Sequence, residues 1–344
     1  MKVALVKPPL SGHLLRGTGV YFDNLAGSLR SYTAIEVVIC TSNQLPKSVD
    51  LYHFPYFDPF FLTLPPLRSK KTIVTVHDLT PIKFPQHFPR GLKGELKWQI
   101  QRFLLKTVRA IVTDSFASKK DLMALVGINP DKIYPIYLAP AEKFLSLKTK
   151  TDKQNVLDKY KLPKKFVMFV GEVNWNKNLV NVIRAIKMVN IPLVIVSQSF
   201  AQRKDWFHPA NVYLKQAIQE AGNSNLIYPL NQVKQADLIC LYQLAAALVY
   251  PSYYEGFGLP VVEAMSSGCP VVTSAKGSLK EIVGSAALII DPDSVTQITG
   301  AIKTILQNKR LTEQLIIQGS LQAKKFSWSK TARDTAQVYQ QVYP

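Results

Sequence analysis

Two glutamates, Glu255 and Glu263, stand with seven residues between them in a segment that contains two glycines and a proline. The segment follows an apolar run that ends at Tyr250 and is typical of a buried strand. Because open α/β sheets bind ligands beyond the carboxyl ends of their strands, we expect both carboxylates near a ligand. Carboxylates accept hydrogen bonds from hydroxyl groups, so a polyhydroxylated ligand such as a sugar would suit them.

The residues between the two glutamates favour an anion site. Gly256 and Gly258 allow a close approach of the backbone that side chains would block, and Pro260 suits the first turn of a helix. That helix is predicted to run to Ser267. Its first N–H groups would face the ligand, and they match a diphosphate or sugar hydroxyls. The alternative is a solvated loop that carries two ordinary surface glutamates.

Other polar residues also follow predicted strands. His77 and Asp78 come after the strand Thr72–Val76, and Lys177 and Asn178 after Phe166–Val170. A lone histidine is more often structural than functional, and Asp78 would either orient His77 or cap the next turn. The triplet Gly17-Thr18-Gly19 is predicted to lie in the loop after the first strand, where it is either a phosphate-facing loop or a simple tight turn.

Short apolar runs alternate with helical patterns along most of the chain, which predicts parallel strands covered on both faces. The pattern weakens between about 140 and 163, where Pro140, several lysines and Pro163 occur. We therefore predict an α/β protein of two doubly wound, Rossmann-like domains. The predicted domains are residues 1–150 and 151–328, and a helix over 329–344 is expected to pack back on the first domain.

The composition limits the classes of function. The chain of 344 residues has a net charge of +19, which favours polyanions such as nucleic acid, an anionic membrane or phosphorylated small molecules. Three scattered cysteines, Cys40, Cys240 and Cys269, are expected to be small buried residues of a reduced protein. Neither a signal sequence nor a membrane-spanning run is visible, so we expect a cytoplasmic protein, at most peripheral on the inner face of the membrane.

Residues 93–109 form a basic amphipathic pattern. Apolar residues recur at helical spacing, and Lys93, Lys97, Arg102, Lys106 and Arg109 lie between them. Such a helix either packs on the core with a solvated basic face or lies on an anionic membrane with Trp98 at the interface.

The segment Glu255–Glu263 resembles the Glu-x7-Glu signature of retaining glycosyltransferases of family 4 (glycosyl transferases group 1), which have the GT-B fold of two Rossmann-like domains facing a cleft. The resemblance covers nearly the whole chain, from Gly17 to Trp328. It implies that Glu255 contacts hexose hydroxyls and stabilises the transition state, and that Glu263 binds the ribose hydroxyls. It also implies that His77 contacts the hexose and that its backbone carbonyl stabilises positive charge at the anomeric carbon. It also implies donor contacts from the residues Gly17, Thr18, Gly19, Lys177, Asn178, Gly256, Phe257, Gly258 and Leu259.

The chain departs from that family at two positions. Glu172 and Asn176 stand where many members have arginines, so phosphate neutralisation is expected from Lys177 and from helix N-termini. The sequence Asp291-Pro292-Asp293 follows a strand as a turn, and no metal ion or other cofactor is expected.

We therefore predict a metal-independent, retaining hexosyltransferase. It would use a GDP- or UDP-sugar donor and a glycan or lipid-linked saccharide as acceptor, with no nucleic-acid partner. An inactive sugar-nucleotide-binding protein and a basic nucleic-acid-binding protein are the alternatives; the second would show basic and aromatic residues clustered on one face.

Overall fold

The computed structural model describes residues 1–8, 17–64, 72–202 and 211–343. The chain forms two compact units. The first comprises residues Met1–Ala139 together with the C-terminal segment from Phe326, and the second comprises Pro140–Lys325. Among the described residues, no helix is long and apolar enough to cross a membrane.

The strands are, in chain order, β1 (Lys2–Val6), β2 (Glu36–Cys40), β3 (Leu51–Phe54), β4 (Thr72–Thr75), β5 (Ala110–Thr113), β6 (Ile133–Pro135), β7 (Val167–Val170), β8 (Leu193–Val196), β9 (Ile227–Leu230), β10 (Leu248–Tyr250), β11 (Val271–Ser274) and β12 (Leu288–Ile290). The described α-helices are α1 (Gly17–Tyr32), α2 (Thr80–Lys83), α3 (Gly91–Thr107), α4 (Phe116–Asp121), α5 (Lys150–Tyr160), α6 (Leu179–Val189), α7 (Gln198–Gln202), α8 (Val212–Ala221), α9 (Gln235–Leu244), α10 (Leu259–Ser266), α11 (Leu279–Val283), α12 (Val295–Gln307), α13 (Lys309–Ala323) and α14 (Trp328–Val342). Shorter helical turns cover Leu122–Val126, Pro130–Lys132, Glu142–Leu145 and Trp175–Lys177.

The first unit contains a six-stranded parallel sheet in the order β2-β1-β3-β4-β5-β6. Every residue of β3, β4 and β5 is buried, which explains why these strands appear in the sequence as continuous runs rather than alternating patterns. The strand order reverses between β1 and β3. Much of the loop after β1 lies outside the described residues.

The second unit contains another six-stranded parallel sheet, in the order β12-β11-β10-β7-β8-β9. Its first strand in the chain, β7, lies at the centre between β8 and β10, so the strand order reverses between β7 and β10. In doubly wound folds, ligands bind in the crevice at the carboxyl ends of the two strands at this reversal. Both sheets confirm the predicted α/β architecture of two Rossmann-like units.

The boundary between the units lies after Ala139, whereas the sequence places it after residue 150. The reason is the short helix Glu142–Leu145, which packs on α9 and α10 of the second unit. Within it, the Phe144 ring meets Tyr242 edge to face at 6.0 Å. The lysine-rich, proline-containing composition that marks this region does not reveal which side Phe144 joins.

The C-terminal helix α14 is part of the first unit and packs against α1 and β5. Tyr339 of α14 shares a 2.6 Å hydrogen bond with the ring Nδ1 of His53, which is fully buried in β3. Arg109 donates from Nε to the carbonyl oxygen of Val342 at 2.8 Å. The last helix therefore completes the first unit although the second unit separates it from that unit in the chain.

Two details differ from the sequence-based expectations. Gly17, Thr18 and Gly19 form the first turn of α1 rather than a loop, because the helical pattern extends one turn further towards the N-terminus than Val20. Trp98 is 4% exposed and packs in the core of the first unit, so of the two alternatives for this helix the one that places Trp98 at a membrane interface is excluded. The three cysteines are free thiols; Cys240 and Cys269 are buried and Cys40 is half-buried.

Candidate functional site

The reversal of strand order in the second sheet brings Lys177 and Glu255 together. Lys177 lies in the loop after β7, and Glu255 lies in the loop after β10. The ammonium group of Lys177 donates to both carboxylate oxygens of Glu255, at 2.8 and 2.7 Å, and to the Tyr250 hydroxyl at 2.5 Å. The side chains of Lys177 and Glu255 are only 18% and 9% exposed. Two residues that are 78 positions apart thus meet where the fold forms a ligand crevice.

The electrostatics of this cluster keep Lys177 cationic. Burial would lower the pKa of Lys177, but the Glu255 carboxylate and the Tyr250 hydroxyl outweigh it, so the pKa of Lys177 is raised. Burial, together with the Glu255 charge, raises the pKa of Tyr250, and the phenol remains a neutral hydrogen-bonding group. Breaking a buried ion pair is costly because one charge is left without its partner.

The backbone around Glu255 is held by the loop after β11. Ser278 donates to the Glu255 carbonyl oxygen from its backbone N–H at 3.1 Å, and its hydroxyl lies 3.1 Å from the same oxygen and 2.9 Å from that of Phe257. Gly277 has a φ of +59°, and a Cβ atom on it would lie 2.6 Å from the Glu255 carbonyl oxygen. Gly277 and Ser278 are therefore positioning residues for Glu255. Helix α11 begins after Ser278 without a side-chain cap, because the hydroxyl of Ser278 makes these contacts instead.

Asn176 ties the two loops of the site together. Its amide donates to the Tyr254 carbonyl at 3.0 Å, and its own carbonyl accepts from the Tyr253 N–H at 2.7 Å. The residue that stands in place of an arginine therefore joins the loop after β7 to the loop after β10. Only the contact with Tyr254 involves the Asn176 side chain, because the bond from Tyr253 is accepted by the Asn176 backbone carbonyl.

The side chain of Asn178 bonds to the backbone of two other loops. Its side-chain amide donates to the carbonyl oxygens of Pro251, at 3.1 Å, and Pro292, at 2.7 Å. Both amide hydrogens are thereby used within the protein, so a contact of Asn178 with a ligand would come from its side-chain carbonyl oxygen or its backbone. The sequence Asp291-Pro292-Asp293 forms the partner turn, in which the Asp293 N–H donates to the Asp291 carboxylate at 3.1 Å. Within the described ranges no three His, Cys, Asp or Glu side chains are grouped so that they could hold a metal ion.

Helix α10 begins at Leu259 after Gly258, which has a φ of +93° and offers no side chain to cap the helix. A Cβ atom on Gly258 would lie 2.8 Å from Cδ2 of Leu279, so a larger residue would have to displace the Leu279 side chain and adopt a strained backbone. Gly256, Phe257 and Gly258 are buried, and Leu259 is partly exposed. The helix N-terminus therefore follows directly on the loop that carries Glu255, as the sequence predicts.

Glu263 lies one turn into α10 and contacts a different group from Glu255. The Tyr242 hydroxyl donates to its carboxylate at 3.1 Å. Burial raises the pKa of Glu263 to about 7, although the hydrogen bond from Tyr242 acts in the opposite direction. Ionisation of Glu263 therefore lowers the stability of the folded protein, because few groups compensate the buried charge. Strongly shifted pKa values of this kind are typical of residues in binding sites.

In the first unit, His77 is oriented by Asp114 and not by Asp78. The ring Nδ1 of His77 lies 2.7 Å from the Asp114 carboxylate, and Tyr21 meets the imidazole edge to face at 4.8 Å. Burial would lower the pKa of His77, but the Asp114 carboxylate outweighs it and the pKa is raised. The other ring nitrogen, Nε2, is buried and makes no hydrogen bond of good geometry among the described residues, although a backbone hydrogen bond with Pro55 also contributes to the raised pKa of His77.

Asp78 and the His77 carbonyl have local partners. The Asp78 carboxylate accepts from the Thr80 backbone N–H at 2.8 Å, which is the capping role that the sequence left open. The His77 carbonyl oxygen accepts a hydrogen bond from the Ser118 hydroxyl at 3.0 Å, and a carbonyl retains a second lone pair for another donor. Asp114 was missed by the sequence analysis. Its position directly after β5 could have indicated it, because β5 lies beside β4 in the sheet and His77 follows β4.

Comparisons with known proteins show the family to which the chain is similar. The sequence profile described as "Glycosyl transferases group 1" matches residues 150–322, and that of "Glycosyltransferase Family 4" matches residues 42–139. The chain is 30% identical over 296 residues to the O-antigen chain mannosyltransferase B of Escherichia coli, covering 84% of this chain and 74% of the relative.

Two solved structures share the fold across the whole chain. Sucrose-phosphate synthase from Thermosynechococcus elongatus superposes with a TM-score of 0.76 at 19% identity, covering 100% of this chain and 99% of that one. The HepE protein of Anabaena, solved with UDP and glucose, superposes with a TM-score of 0.73 at 16% identity, covering 99% and 100%. At these identities the likeness shows the fold, which is that of the GT-B glycosyltransferases.

Proposed function

This chain belongs to the group 1 glycosyltransferases of family 4, and we propose that it moves a hexose from a nucleotide diphosphate sugar to a hydroxyl group of a glycan or lipid-linked saccharide, with retention at the anomeric carbon. The observation that carries the proposal is the Lys177–Glu255–Tyr250 cluster at the strand-order reversal of the second sheet. Among the relatives, the E. coli protein is named as a mannosyltransferase of O-antigen chains, which supports mannose as the hexose. The HepE structure holds UDP and glucose, so both GDP- and UDP-sugars are candidates for the donor.

In the proposed donor complex, Lys177 has the charge that a diphosphate requires. Its ammonium is partly buried and is paired with Glu255. The start of α10 adds the partial positive charge of a helix N-terminus. We expect Lys177 to be shared between Glu255 and the diphosphate. With these two groups neutralising the leaving group, the reaction would not require a metal ion.

The carboxylates are then assigned to hydroxyl groups. Glu255, held by Gly277 and Ser278, would accept hydrogen bonds from the hexose and stabilise positive charge that develops at the anomeric carbon. Glu263 would accept from the ribose, and that contact would favour its ionised form. The backbone of Gly256–Leu259 would complete the contacts with sugar and diphosphate.

The first unit would supply His77. Asp114 holds the ring, and we expect the imidazole to contact the hexose. The His77 carbonyl, and the backbone of Gly17–Gly19, remain proposed donor contacts. Retention is consistent with attack of the acceptor hydroxyl on the face from which the diphosphate leaves, with a leaving-group oxygen taking the acceptor proton. Proximity and preorganised charge would then supply most of the rate.

The test is a transfer and hydrolysis assay with UDP-, GDP- and ADP-hexoses, in which NMR identifies the anomeric configuration of the product. We expect turnover with one nucleotide class and retention at the anomeric carbon. Glu255→Gln should reduce turnover by about 100-fold or more. Glu220→Gln is the matched control, because Glu220 also pairs with basic side chains in the second unit, at Arg184 and Lys187.

A double variant separates folding from chemistry. Glu255→Gln alone leaves Lys177 without its counter-charge and is expected to lower stability, whereas Glu255→Gln with Lys177→Met removes both charges and should restore much of it. The double variant should stay inactive. Full activity in it would refute the proposal, and donor binding without turnover in the native chain would instead support a sugar-nucleotide-binding protein.

A further inference from the structure

A row of hydrogen-bonded side chains crosses the core of the first unit. The Tyr339 hydroxyl on α14 lies 2.6 Å from Nδ1 of His53 in β3, and Nε2 of His53 lies 2.8 Å from the Thr75 hydroxyl in β4. The Thr75 hydroxyl in turn lies 3.2 Å from the hydroxyl of Tyr21 on α1. All four residues are at most 3% exposed. We call Tyr21, His53, Thr75 and Tyr339 the polar row.

The imidazole of His53 lies at the centre of the polar row and is neutral. Burial lowers the pKa of His53 to about 3, and the nearby His77 acts in the same direction. Because a neutral imidazole has a single N–H, one of its ring nitrogens donates a hydrogen bond and the other accepts one. The loss of the hydroxyl of Thr75 or of Tyr339 would therefore leave a buried ring nitrogen without its partner, which is costly.

The polar row reaches His77 through the ring of Tyr21. This ring is perpendicular to the His77 imidazole, with 4.8 Å between the two ring centres. It also lies 6.0 Å from the ring of Trp328, the first residue of α14. Tyr21 is thus held at its hydroxyl and along its ring. A network that only joined α14 to the sheet could end at His53, so its extension to Tyr21 needs another explanation.

The other partners of His77 hold its imidazole by hydrogen bonds. The Asp114 carboxylate lies 2.7 Å from Nδ1, and a backbone hydrogen bond with Pro55 also acts on the ring. Hydrogen bonds to ring nitrogens fix the edge of the imidazole, but the ring can still tilt about the line between their partners. The perpendicular Tyr21 ring limits this tilt, because aromatic pairs prefer an edge-to-face arrangement.

We propose that the polar row positions the imidazole of His77 for its contact with the hexose, so that its four members are positioning residues for the transfer reaction. The inference rests on the proposed function, because it gives a purpose to the contact between His77 and the hexose. A group that acts on a substrate must be held to within about 0.5 Å, by neighbours whose own side chains are fixed by packing and hydrogen bonds. The polar row supplies such neighbours from inside the core.

Thr75→Val removes the hydroxyl in the middle of the polar row and keeps the shape of the side chain. It should lower kcat for transfer at least about ten-fold, because a misplacement of about 1 Å costs up to about 100-fold. Thr75→Ser keeps the hydroxyl but loses a buried methyl group, and it should retain most of the turnover. Thr335→Val is the matched control and should leave turnover unchanged. Thr335 is also fully buried in the first unit, but its hydroxyl donates to the Thr331 carbonyl at 2.7 Å, outside the polar row.

NMR of the full chain with isotope-labelled histidine measures the position of the His77 ring without any substrate. The chain has five histidines, and His77→Gln identifies the resonances of His77. Thr75→Val and Tyr339→Phe should both shift these resonances, because the ring current of Tyr21 acts on His77 according to the geometry of the two rings, whereas Thr335→Val should not. Unchanged His77 resonances in either variant would overturn the inference, and so would a Thr75→Ser protein as inactive as Thr75→Val. Shifted resonances with unchanged turnover would leave the positioning of the ring intact and refute the proposed contact of His77 with the hexose.

Discussion

Replacing Glu263 by glutamine should stabilise the second unit while weakening donor binding. Burial raises the pKa of Glu263 to about 7 from an ordinary value of 4.5. The shift of about 2.5 pH units corresponds to at most about 3 kcal/mol of folding free energy, at 1.36 kcal/mol per unit. A neutral amide of the same shape avoids that cost.

The sign depends on pH. Below pH 4.5 the carboxyl is protonated in both the folded and the unfolded chain, so it contributes no difference. Between pH 4.5 and about 7 the unfolded chain loses the proton and the folded chain keeps it, so the native protein becomes less stable as pH rises. Above pH 7 the full cost is present. The Gln variant should therefore exceed the native chain in stability most clearly at pH 8, and hardly at all at pH 4.5.

Hydrogen exchange followed by mass spectrometry on peptides that cover β10 and α10 would measure this free energy for the second unit itself. Glu220→Gln is the control with the opposite sign, because Arg184 and Lys187 lower the pKa of Glu220 despite its partial burial. That substitution should slightly reduce stability above pH 4.5. If Glu263→Gln gained nothing at pH 8 relative to pH 4.5, the argument that Glu263 is a strained carboxylate would be refuted.

The same residue should connect nucleotide binding to pH. An ionised Glu263 accepts hydrogen bonds from ribose hydroxyls better than a protonated one does. We therefore expect the affinity of the native chain for the nucleotide to fall as pH drops below about 7, and calorimetric titration would measure it. The Gln variant should bind more weakly at pH 8 and show little of this pH dependence.

Three further predictions follow from buried groups. Burial lowers the pKa of His53 to about 3. The first unit should therefore lose up to about 1.4 kcal/mol of stability per pH unit as the pH falls below 6.5, because the unfolded chain binds the proton more readily. In urea unfolding experiments, His53→Phe should reduce this dependence of stability on pH. Gly277→Ala should reduce turnover at least about ten-fold. The added Cβ atom would press on the Glu255 carbonyl oxygen, and the alanine would have to adopt a left-handed backbone conformation. Asp114→Asn should lower the pKa of His77 by about one unit or more, seen by NMR titration of the ring.

Each of these has a result that would count against it. An unchanged pH slope in the histidine variant would mean that His53 takes up a proton without unfolding. Gly300→Ala, where a Cβ meets nothing within 4 Å, is the control for the glycine substitution and should stabilise α12 by about 0.5–1 kcal/mol without affecting turnover. An Asp114→Asn protein with an unaltered His77 titration would show that another group sets that pKa.

The local patterns of the sequence were enough for the architecture. Continuous apolar runs predict strands such as β1, β4 and β7 because central parallel strands are buried on both faces. The three-residue strand β6, which ends at Pro135, was missed because so short a run with a proline carries no periodic signal. The position of Trp98 stayed open between the core and a membrane interface, because α3 has two apolar faces and helical spacing alone does not tell which one packs on the core.

The two-sheet α/β fold and the loop that carries Glu255 could be predicted without the structure, since both depend on residues that are neighbours in the chain: apolar runs, the glycines of the loop and a proline at a helix start. The partners were decided by the tertiary structure. Lys177 meets Glu255, and Asp114 meets His77, only because strand order brings the ends of distant strands side by side. The pKa shifts also required the tertiary structure, because they depend on burial and on charges that are close in space but distant in the chain.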